Sequence, residues 1–397
     1  MKVKVAYLLS NPIQYQEPLL RYLAQDPIIE LTVIYRSRRS LSTHSFSGFN
    51  MATQWDIPLL DGYQYYFLNC LGEDKKFTFW RPFNYGLWSY LRKHRFDVLW
   101  IHGYKDSYLL YAVIIAKCLG VKVLVRGEST LQYTKQSPWK EKFRRPFFTI
   151  LNKLVAGFLA IGTLNKRFYQ YYDIPEKKLF WTPYTVDNER FKKQSIVAKK
   201  LLSQLKTELN ITENVPVILY ASSMMVRKHP EDLLEAFIRL TKDGKTPPQA
   251  NLLFVGDGEQ RAVLEARVKK LGWDNIKIVG FKNQTELPKY YALADIFVLP
   301  SENETWGLVV NEAMNAGCAV IVSDQVGSGS DLVKSGYNGE VFPARNIEEL
   351  VHILQKLLAN NELVKLMGSH SKEIISTWSV KETAAGIKMA VQTVMNK

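Results

Sequence analysis

Two glutamates, Glu304 and Glu312, stand with seven residues between them and enclose Gly307, Leu308 and Val309. The apolar run Ile296–Leu299 just upstream reads as a buried strand, and the spacing that begins at Leu308 reads as a helix. The first amides of such a helix lack internal partners and sit at the positive end of its dipole, so the segment suits an anion, above all a diphosphate. Gly307 has no Cβ and permits close approach to the backbone. At a rise of ~1.5 Å per residue, Glu312 lies about one turn inside the helix. Ionised carboxylates would repel phosphate itself, so the two glutamates are read as holding neutral hydroxyls on either side of it. The plain alternative is a solvated loop residue and a surface helix residue. Arg227 and Lys228 add fixed positive charge at another strand-to-helix turn, or are ordinary surface charge.

These residues need a scaffold that ends strands and starts helices on one side. Short apolar runs alternate with amphipathic stretches throughout, the rhythm of strand-helix-strand units around parallel sheets. In the first half, Val3–Leu9, Leu31–Tyr35, Val98–His102, Val121–Val125 and Gly157–Ile161 are expected strands, with helical spacing over Glu17–Ala24 and Tyr108–Leu119. The second half restarts the pattern, with strands at Val217–Ala221, Asn251–Val255, Ile276–Val279, Ile296–Leu299 and Ala319–Val322. Helices are expected at Glu231–Thr241, Glu259–Leu271, Thr285–Ala294, Leu308–Ala316, Ile347–Asn360 and Glu362–Ser376, and a last one at Val380–Met395. A polar connector near residues 187–214 joins the halves. The expected class is α/β: two Rossmann-like doubly wound domains, residues 1–192 and 193–377, facing a central cleft, followed by a terminal segment, 378–397. No G-x-G-x-x-G lies between a strand and a helix, which argues against a dinucleotide dehydrogenase.

A chain of 397 residues, 47% of them hydrophobic, can bury more than one core, and neither disorder nor a fibrous protein fits it. The first apolar run is interrupted by Asn11 and Pro12 too soon for a secretion signal, and no run approaches the ~20 apolar residues of a membrane span. Cys70, Cys118 and Cys318 are far apart and in no metal-ligand spacing; each is expected to be a small buried hydrophobe in a reducing, cytoplasmic compartment. The net charge of +14 lies wholly in the first half: residues 1–200 carry 31 Lys and Arg against 15 Asp and Glu, and the remainder 21 against 23. That asymmetry points to an anionic partner, such as a membrane surface, a phosphorylated lipid or nucleic acid, or else to a basic soluble face.

With Gly307-Leu308-Val309 between them, Glu304 and Glu312 resemble the E-x7-E motif of the retaining family 4 glycosyltransferases of the GT-B fold. Val255-Gly256-Asp257-Gly258-Glu259 resembles that family's glycine loop, Val279-Gly280-Phe281 the segment that meets the nucleobase, and Tyr291 to Ser301 the strand before the motif. Ser323 to Gly327 and Gly336 to Gly339 follow in the family's order, so the resemblance runs through about residues 217–345. It implies transfer of a hexose-type sugar, with retention, from a nucleoside diphosphate donor held in the second domain, without cofactor or metal. Position by position, it implies Glu312 on the ribose hydroxyls, the Leu308 and Val309 amides on the diphosphate, and Glu304 on the transferred sugar. Gly256 and Phe281 would line the donor site, and Lys228 would neutralise the leaving diphosphate. Ser223 stands where the family usually has a second basic residue, so Arg227 is expected to supply that charge; departing diphosphate builds negative charge that fixed cations stabilise. No Asp-x-Asp tripeptide, the usual seat of a cation in the other major glycosyltransferase fold, occurs here. The terminal helix after Trp378 would pack back on the first domain.

The first half departs further from the family. Ser10-Asn11-Pro12-Ile13-Gln14-Tyr15 replaces a glycine-rich turn, and Arg126-Gly127-Glu128 stands where a histidine commonly follows the strand. Glu128 is an acceptor-side candidate that could orient or deprotonate an acceptor hydroxyl, or else pair with Arg126. His102 is a second candidate, or a satisfied buried histidine, and Asn11 a third. Thr182 to Asp187 replaces a Pro-Asn-Gly-Val-Asp turn and is expected to serve as the hinge rather than the site. Tyr133–Ala156 interleaves Lys135, Lys140, Lys142, Arg144, Arg145 and Lys153 with Trp139, Phe143, Phe147 and Phe148. That suits a helix lying on an anionic bilayer, or an ordinary helix with one core face. No RNA-recognition signature accompanies it, and no nucleic acid is expected as partner. The expected acceptor is a glycan or lipid-linked glycan of polysaccharide, capsule or lipopolysaccharide biosynthesis, met in the cytoplasm at the inner face of the membrane. Two rivals stand beside this reading: a sugar-nucleotide epimerase of the same architecture, and a non-catalytic partner subunit that binds a nucleotide sugar.

Overall fold

In the computed structural model the alternating apolar runs become two parallel sheets, each at the centre of its own unit; residues 2–42, 44–45, 52–71, 78–80, 82–104, 106–134, 138–241 and 248–396 are described. One unit comprises Met1–His44, Ile57–Val186 and Trp378–Lys397, the other Ser45–Asp56 and Asp187–Thr377.

The first unit holds β1 (Val3–Leu9), β2 (Ile29–Tyr35), β3 (Gln64–Phe67), β4 (Val98–His102), β5 (Lys122–Arg126), β6 (Gly157–Ala160) and β7 (Leu179–Trp181). They lie in the order β7-β6-β5-β4-β1-β2-β3, each neighbouring pair parallel. Strands covered on both faces read as continuous apolar runs, which is why they are visible in the sequence. Alternate side chains of β1 enter different cores. Val5, Tyr7 and Leu9 pack with helix α1 (Glu17–Ala24) and the terminal helix Val380–Met395 through Leu19, Leu23, Ile387 and Val391. Ala6 and Leu8 pack with α2 (Ser107–Cys118) and α3 (Pro138–Leu154) through Leu109, Ala112, Phe148 and Leu151. Full burial of each large apolar side chain stabilises by roughly 1.5–3 kcal/mol. The terminal helix opens with a capping box between Ser379 and Glu382. It is tied to this unit by Thr383, whose hydroxyl donates to the Pro183 carbonyl at 2.6 Å, and by Lys388, 2.7 Å from Asp26.

The second unit holds β8 (Val217–Ala221), β9 (Asn251–Val255), β10 (Ile276–Ile278), β11 (Ile296–Leu299), β12 (Ala319–Ser323) and β13 (Gly339–Phe342), in the order β10-β9-β8-β11-β12-β13 and all parallel. The strand order reverses between β8 and β11, and in such sheets ligands bind beyond the carboxyl ends of the strands at that reversal. In the first unit the reversal falls between β1 and β4. Helices α4 (Asn188–Lys199), α5 (Pro230–Ile238), α6 (Leu287–Leu293), α7 (Leu308–Ala316) and α8 (Asn361–Ser376) belong to this unit. Leu233, Leu234 and Phe237 of α5 fill one core against Ile218, Tyr220, Leu252 and Phe254.

The structure adds elements that the sequence pattern does not announce. β3, β7, β13 and an antiparallel pair, Asn69–Leu71 with Phe83–Tyr85, are three or four residues long and carry polar or exposed positions, so no periodicity builds up. The cysteine expectation is corrected. Cys318 is buried, but Cys70 is half-buried and Cys118 is exposed, because it falls on the outward side of the last turn of α2. The segment Ser45–Asp56 comes from the first half of the chain yet belongs to the second unit. There the Gln54 carbonyl accepts from Asn283 Nδ2 at 2.7 Å, and the Asp56 carboxylate accepts from the Thr285 amide at 3.1 Å. Among the described residues no helix is long and apolar enough to cross a membrane.

Candidate functional site

At the reversal in the second sheet two loops meet. The loop after β8 turns at Val226–Lys228 and carries Arg227 and Lys228; the loop after β11 carries Glu304. The Lys228 ammonium lies against Glu304 Oε2, and Arg227 Nη1 stands 3.3 Å from the same oxygen. The side chains of Lys228 and Glu304 are only 8% and 12% exposed, so this is no ordinary surface pair. Burial, then the neighbouring Arg227, push the Lys228 ammonium below the lysine range, to about 7; the Glu304 carboxylate is the counter-charge that favours its protonated form. The backbone of Glu304 is clamped to the loop after β12: its amide donates to the Gln325 carbonyl at 3.1 Å, and its carbonyl accepts from Gly327 at 2.9 Å.

Gly307 opens α7 at φ +89°, a conformation that L side chains rarely adopt, and a Cβ there would stand 3.2–3.3 Å from Leu299, Val326 and Glu304. Trp306, buried just before it, donates from Nε1 to Asn311 Oδ1 at 2.9 Å and so pins the first turn. The amides of Leu308 and Val309 precede the first intrahelical bond, from the Val310 amide to the Gly307 carbonyl at 2.9 Å. Both residues are half-buried.

One turn on, Glu312 is 8% exposed and accepts a 2.8 Å hydrogen bond from the Tyr291 hydroxyl. Burial raises its carboxyl to about 7, against the opposing pull of Tyr291 and of the Arg190 guanidinium. Arg190, on α4, donates from Nη2 to Gln284 at 2.6 Å, while its buried Nη1 has no hydrogen-bond partner among the described residues. At the ends of β9 and β10 the Gly256 amide donates to the Gly280 carbonyl at 2.8 Å. Gly256 has φ +142°, and a Cβ would fall 2.0 Å from the Ser222 carbonyl oxygen, so no larger residue fits. Phe281 follows directly, its ring 6.5 Å from that of Trp55.

In the first unit, His102 ends β4 and Glu128 follows β5. His102 Nε2 lies 3.1 Å from Glu128 Oε1, and His102 Nδ1 lies 2.8 Å from the Tyr7 hydroxyl. The Tyr184 hydroxyl also donates to Glu128 Oε1. Burial acts to raise the Glu128 carboxyl, but the hydrogen bond and charge of His102, the Tyr184 hydroxyl and the Arg126 charge together hold it down, to about 2. A carboxyl held that low suits an acceptor that orients a hydroxyl better than a base that takes its proton. Beside it lies a cavity of about 490 Å³ whose walls include Ile13, Tyr15, Phe79, His102, Tyr104 and Glu128. Arg126 does not pair with Glu128: its Nη2 donates to the Thr182 carbonyl at 3.3 Å, and its guanidinium covers the Tyr184 ring at 4.6 Å. The Asn11 amide turns back on the Pro12 carbonyl at 3.1 Å, and Asn11 is not among the residues that line the cavity.

The structure thus joins Glu304 to Lys228 and Arg227, sets Gly307, Leu308, Val309 and Glu312 along one helix start, and brings Gly256 beside the strand end that carries Phe281. It joins His102 to Glu128 but leaves Asn11 apart. The turn Thr182 to Asp187 holds the boundary between the units, at Val186, and its Tyr184 hydroxyl donates to Glu128. Sequence reasoning missed Tyr7, Tyr184, Tyr291, Arg190 and Trp55. Tyr184 carried a signal, since it is one of the positions where the turn departs from the family pattern.

Two doubly wound parallel units, the second ending its reversal in paired cations and carboxylates, make this an α/β protein of the GT-B fold. Residues 203–374 match the family described as glycosyl transferases group 1. Alpha-D-kanosaminyltransferase of Streptomyces kanamyceticus is 23% identical over 73% of this chain and 75% of its own. Alpha-monoglucosyldiacylglycerol synthase of Acholeplasma laidlawii is 31% identical over 51% of this chain and 49% of its own, so that match spans about half of the relative. Among solved structures, HepE of Anabaena in complex with UDP superposes with a TM-score of 0.72 at 17% identity, covering 99% of this chain and 100% of that one, a likeness of fold.

Proposed function

We propose that this glycosyltransferase takes a hexose-type sugar from a nucleoside diphosphate donor bound at the carboxyl ends of the second sheet. It passes the sugar, with retention and without a metal, to a glycan or lipid-linked glycan held by the first unit. The observation that carries this reading is the start of α7, where Gly307 at φ +89° lets the chain present the Leu308 and Val309 amides to an anion between Glu304 and Glu312. The diphosphate rests on those amides, Glu312 takes the ribose hydroxyls, and Glu304 takes hydroxyls of the sugar. Lys228 and Arg227 stabilise the charge that builds as the diphosphate leaves. A phosphate oxygen of the leaving group accepts the acceptor's proton, and Glu128 orients the attacking hydroxyl. The complexes of HepE with UDP and with UDP-glucose support a nucleoside diphosphate donor. The relative whose name joins glucose to a diacylglycerol supports an acceptor that carries a lipid.

Thermal unfolding with uridine, guanosine and adenosine diphosphate sugars tests the donor. The true donor, well above its dissociation constant, stabilises the protein by roughly 2–4 kcal/mol. Turnover then releases nucleoside diphosphate together with a glycoside of unchanged anomeric configuration. Conversion of the donor into an isomeric nucleotide sugar without any acceptor would make the protein an epimerase and overturn the reading.

A further inference from the structure

Helix α3 carries apolar side chains on two opposite faces. Phe148 and Leu151 enter the core of the first unit. Trp139, Phe143, Pro146 and Ile150 follow the alternating four-and-three spacing of a single helical face and point the other way. Trp139 is 75%, Phe143 71% and Ile150 60% exposed. A surface helix ordinarily keeps one apolar stripe, turned to the core, and polar residues opposite. Here the stripe opposite the core is apolar as well, and cations border it. Lys140, Lys142 and Lys153 are exposed and pair with no carboxylate among the described residues, whereas Arg145 is engaged by Asp173 at 2.5 Å and Arg144 lies 3.8 Å from Glu141. A groove of about 700 Å³ runs beside the stripe, lined by Glu141, Lys142, Arg145, Pro146, Thr149 and Ile150. At the far end of the helix, Lys153 shares a second cavity of about 400 Å³ with Lys117, Lys122 and Lys178. Lys135, part of the same basic run in the sequence, lies outside the described residues.

We propose that this outward face of α3 is a docking surface for an anionic lipid bilayer. Trp139, Phe143 and Ile150 seat at the boundary between headgroups and acyl chains, and Lys140, Lys142 and Lys153 meet lipid phosphates. The proposal rests on the reading of a lipid-linked acceptor and deepens it by naming the residues that touch the membrane. Charge complementarity selects the occupant: an exposed apolar strip flanked by lysines that meet no carboxylate among the described residues matches a surface that is apolar below and anionic above. Nucleic acid fits less well, because Pro146 and Ile150 offer no flat ring for a base and both arginines of the helix are occupied within the protein.

Co-sedimentation of the full-length protein with phosphatidylcholine vesicles, with and without phosphatidylglycerol, tests it. Binding is expected to the anionic vesicles, to weaken with added salt, and to be slight on the neutral ones. Lys142→Glu and Lys153→Glu should each weaken it about fivefold or more. The triple variant Trp139→Ser, Phe143→Ser, Ile150→Ser should lose at least tenfold, while calorimetric affinity for nucleoside diphosphate and the melting temperature stay as in the parent. Equal binding to both vesicle types, or a triple variant that sediments like the parent, would overturn the proposal. So would a self-associated protein whose dimer the triple variant abolishes, or one stripped from vesicles by RNA that the variants no longer bind. Nucleoside diphosphate affinity is measured separately, so failure of the membrane proposal leaves the donor reading standing, and the reverse holds too.

Discussion

The Tyr291 hydroxyl donates a 2.8 Å hydrogen bond to the carboxyl of Glu312, and that contact does not offset the burial of the acid, which is raised to about 7. In the ligand-free protein Glu312 is thus close to half-protonated at neutral pH. Ribose hydroxyls are good donors to a carboxylate, so binding of a nucleotide should be coupled to loss of the proton.

Nucleotide affinity should therefore rise with pH. A binding mode that requires the ionised form of an acid with pKa about 7 strengthens roughly tenfold between pH 6 and 8. Calorimetry in buffers of different ionisation enthalpy should show proton release on binding near pH 6.5. Glu312→Gln should bind weakly and without this pH dependence.

The free protein should show the opposite trend in stability. The folded-state value of Glu312 lies above its ordinary 4.5, so the folded form binds the proton more tightly and stability falls as pH rises from about 4.5 through about 7. The loss attributable to this one group is of the order of 3 kcal/mol. Urea unfolding at either end of that window should show Glu312→Gln gaining on the parent at the higher pH. A parent and variant with parallel profiles would contradict the assignment.

Lys228→Ala should cost roughly 10²–10³ in kcat, because the cation acts on charge that develops as the bond breaks. Affinity for the intact donor should fall less. Removing the lysine also leaves Glu304 with Arg227 alone, at 3.3 Å, so Arg227→Ala is expected to be milder and the double variant less than additive. Steady-state kinetics with donor and acceptor varied separately provide the check.

Gly307→Ala should strain the start of α7 twice, through a positive φ that costs about 1–2 kcal/mol for an L residue and through a Cβ 3.2 Å from Leu299 and Val326. Gly120 also has a positive φ, +73°, but open space around it. Gly120→Ala should therefore lose some stability yet keep nucleotide affinity, and Gly307→Ala should lose both. Equal nucleotide affinities in the two variants would refute the role given to Gly307.

Glu128→Gln should lower kcat/KM for the acceptor by roughly 10–100-fold, the value of a charged hydrogen bond, with nucleotide affinity unchanged. Because the carboxyl is held down to about 2, it remains ionised throughout the working range. The acceptor-dependent rate should carry no limb from Glu128 between about pH 5 and 9. A bell-shaped profile whose acidic limb vanishes in Glu128→Gln would show that the acid is a base after all.

What the sequence reveals depends on how local the arrangement is. The start of α7 could be read because its parts are contiguous: the strand ending at Leu299, the glycine, and a helix whose limits, Leu308–Ala316, coincide with the apolar spacing. Grouping Lys228 with Glu304 needed the family resemblance, since 76 positions separate them. The cluster around Glu128 is assembled from β1, β4, β5 and the turn that carries Tyr184, so no window of sequence contains it. Tyr7 meets His102 only because the register sets Tyr7 against Trp100, one pleat away from the histidine on the same face. The mixture of aromatics and lysines in α3 was visible, but which aromatics turn outward is decided by Phe148 and Leu151 filling the core.

A crystal structure with bound nucleoside diphosphate tests the central claim most directly. The account predicts phosphate oxygens at about 2.7–3.2 Å from the Leu308 and Val309 amides, with the ribose on Glu312 and Lys228 turned from Glu304 toward the phosphates. A diphosphate lodged elsewhere, with Lys228 still on Glu304 and the start of α7 bare, would contradict it.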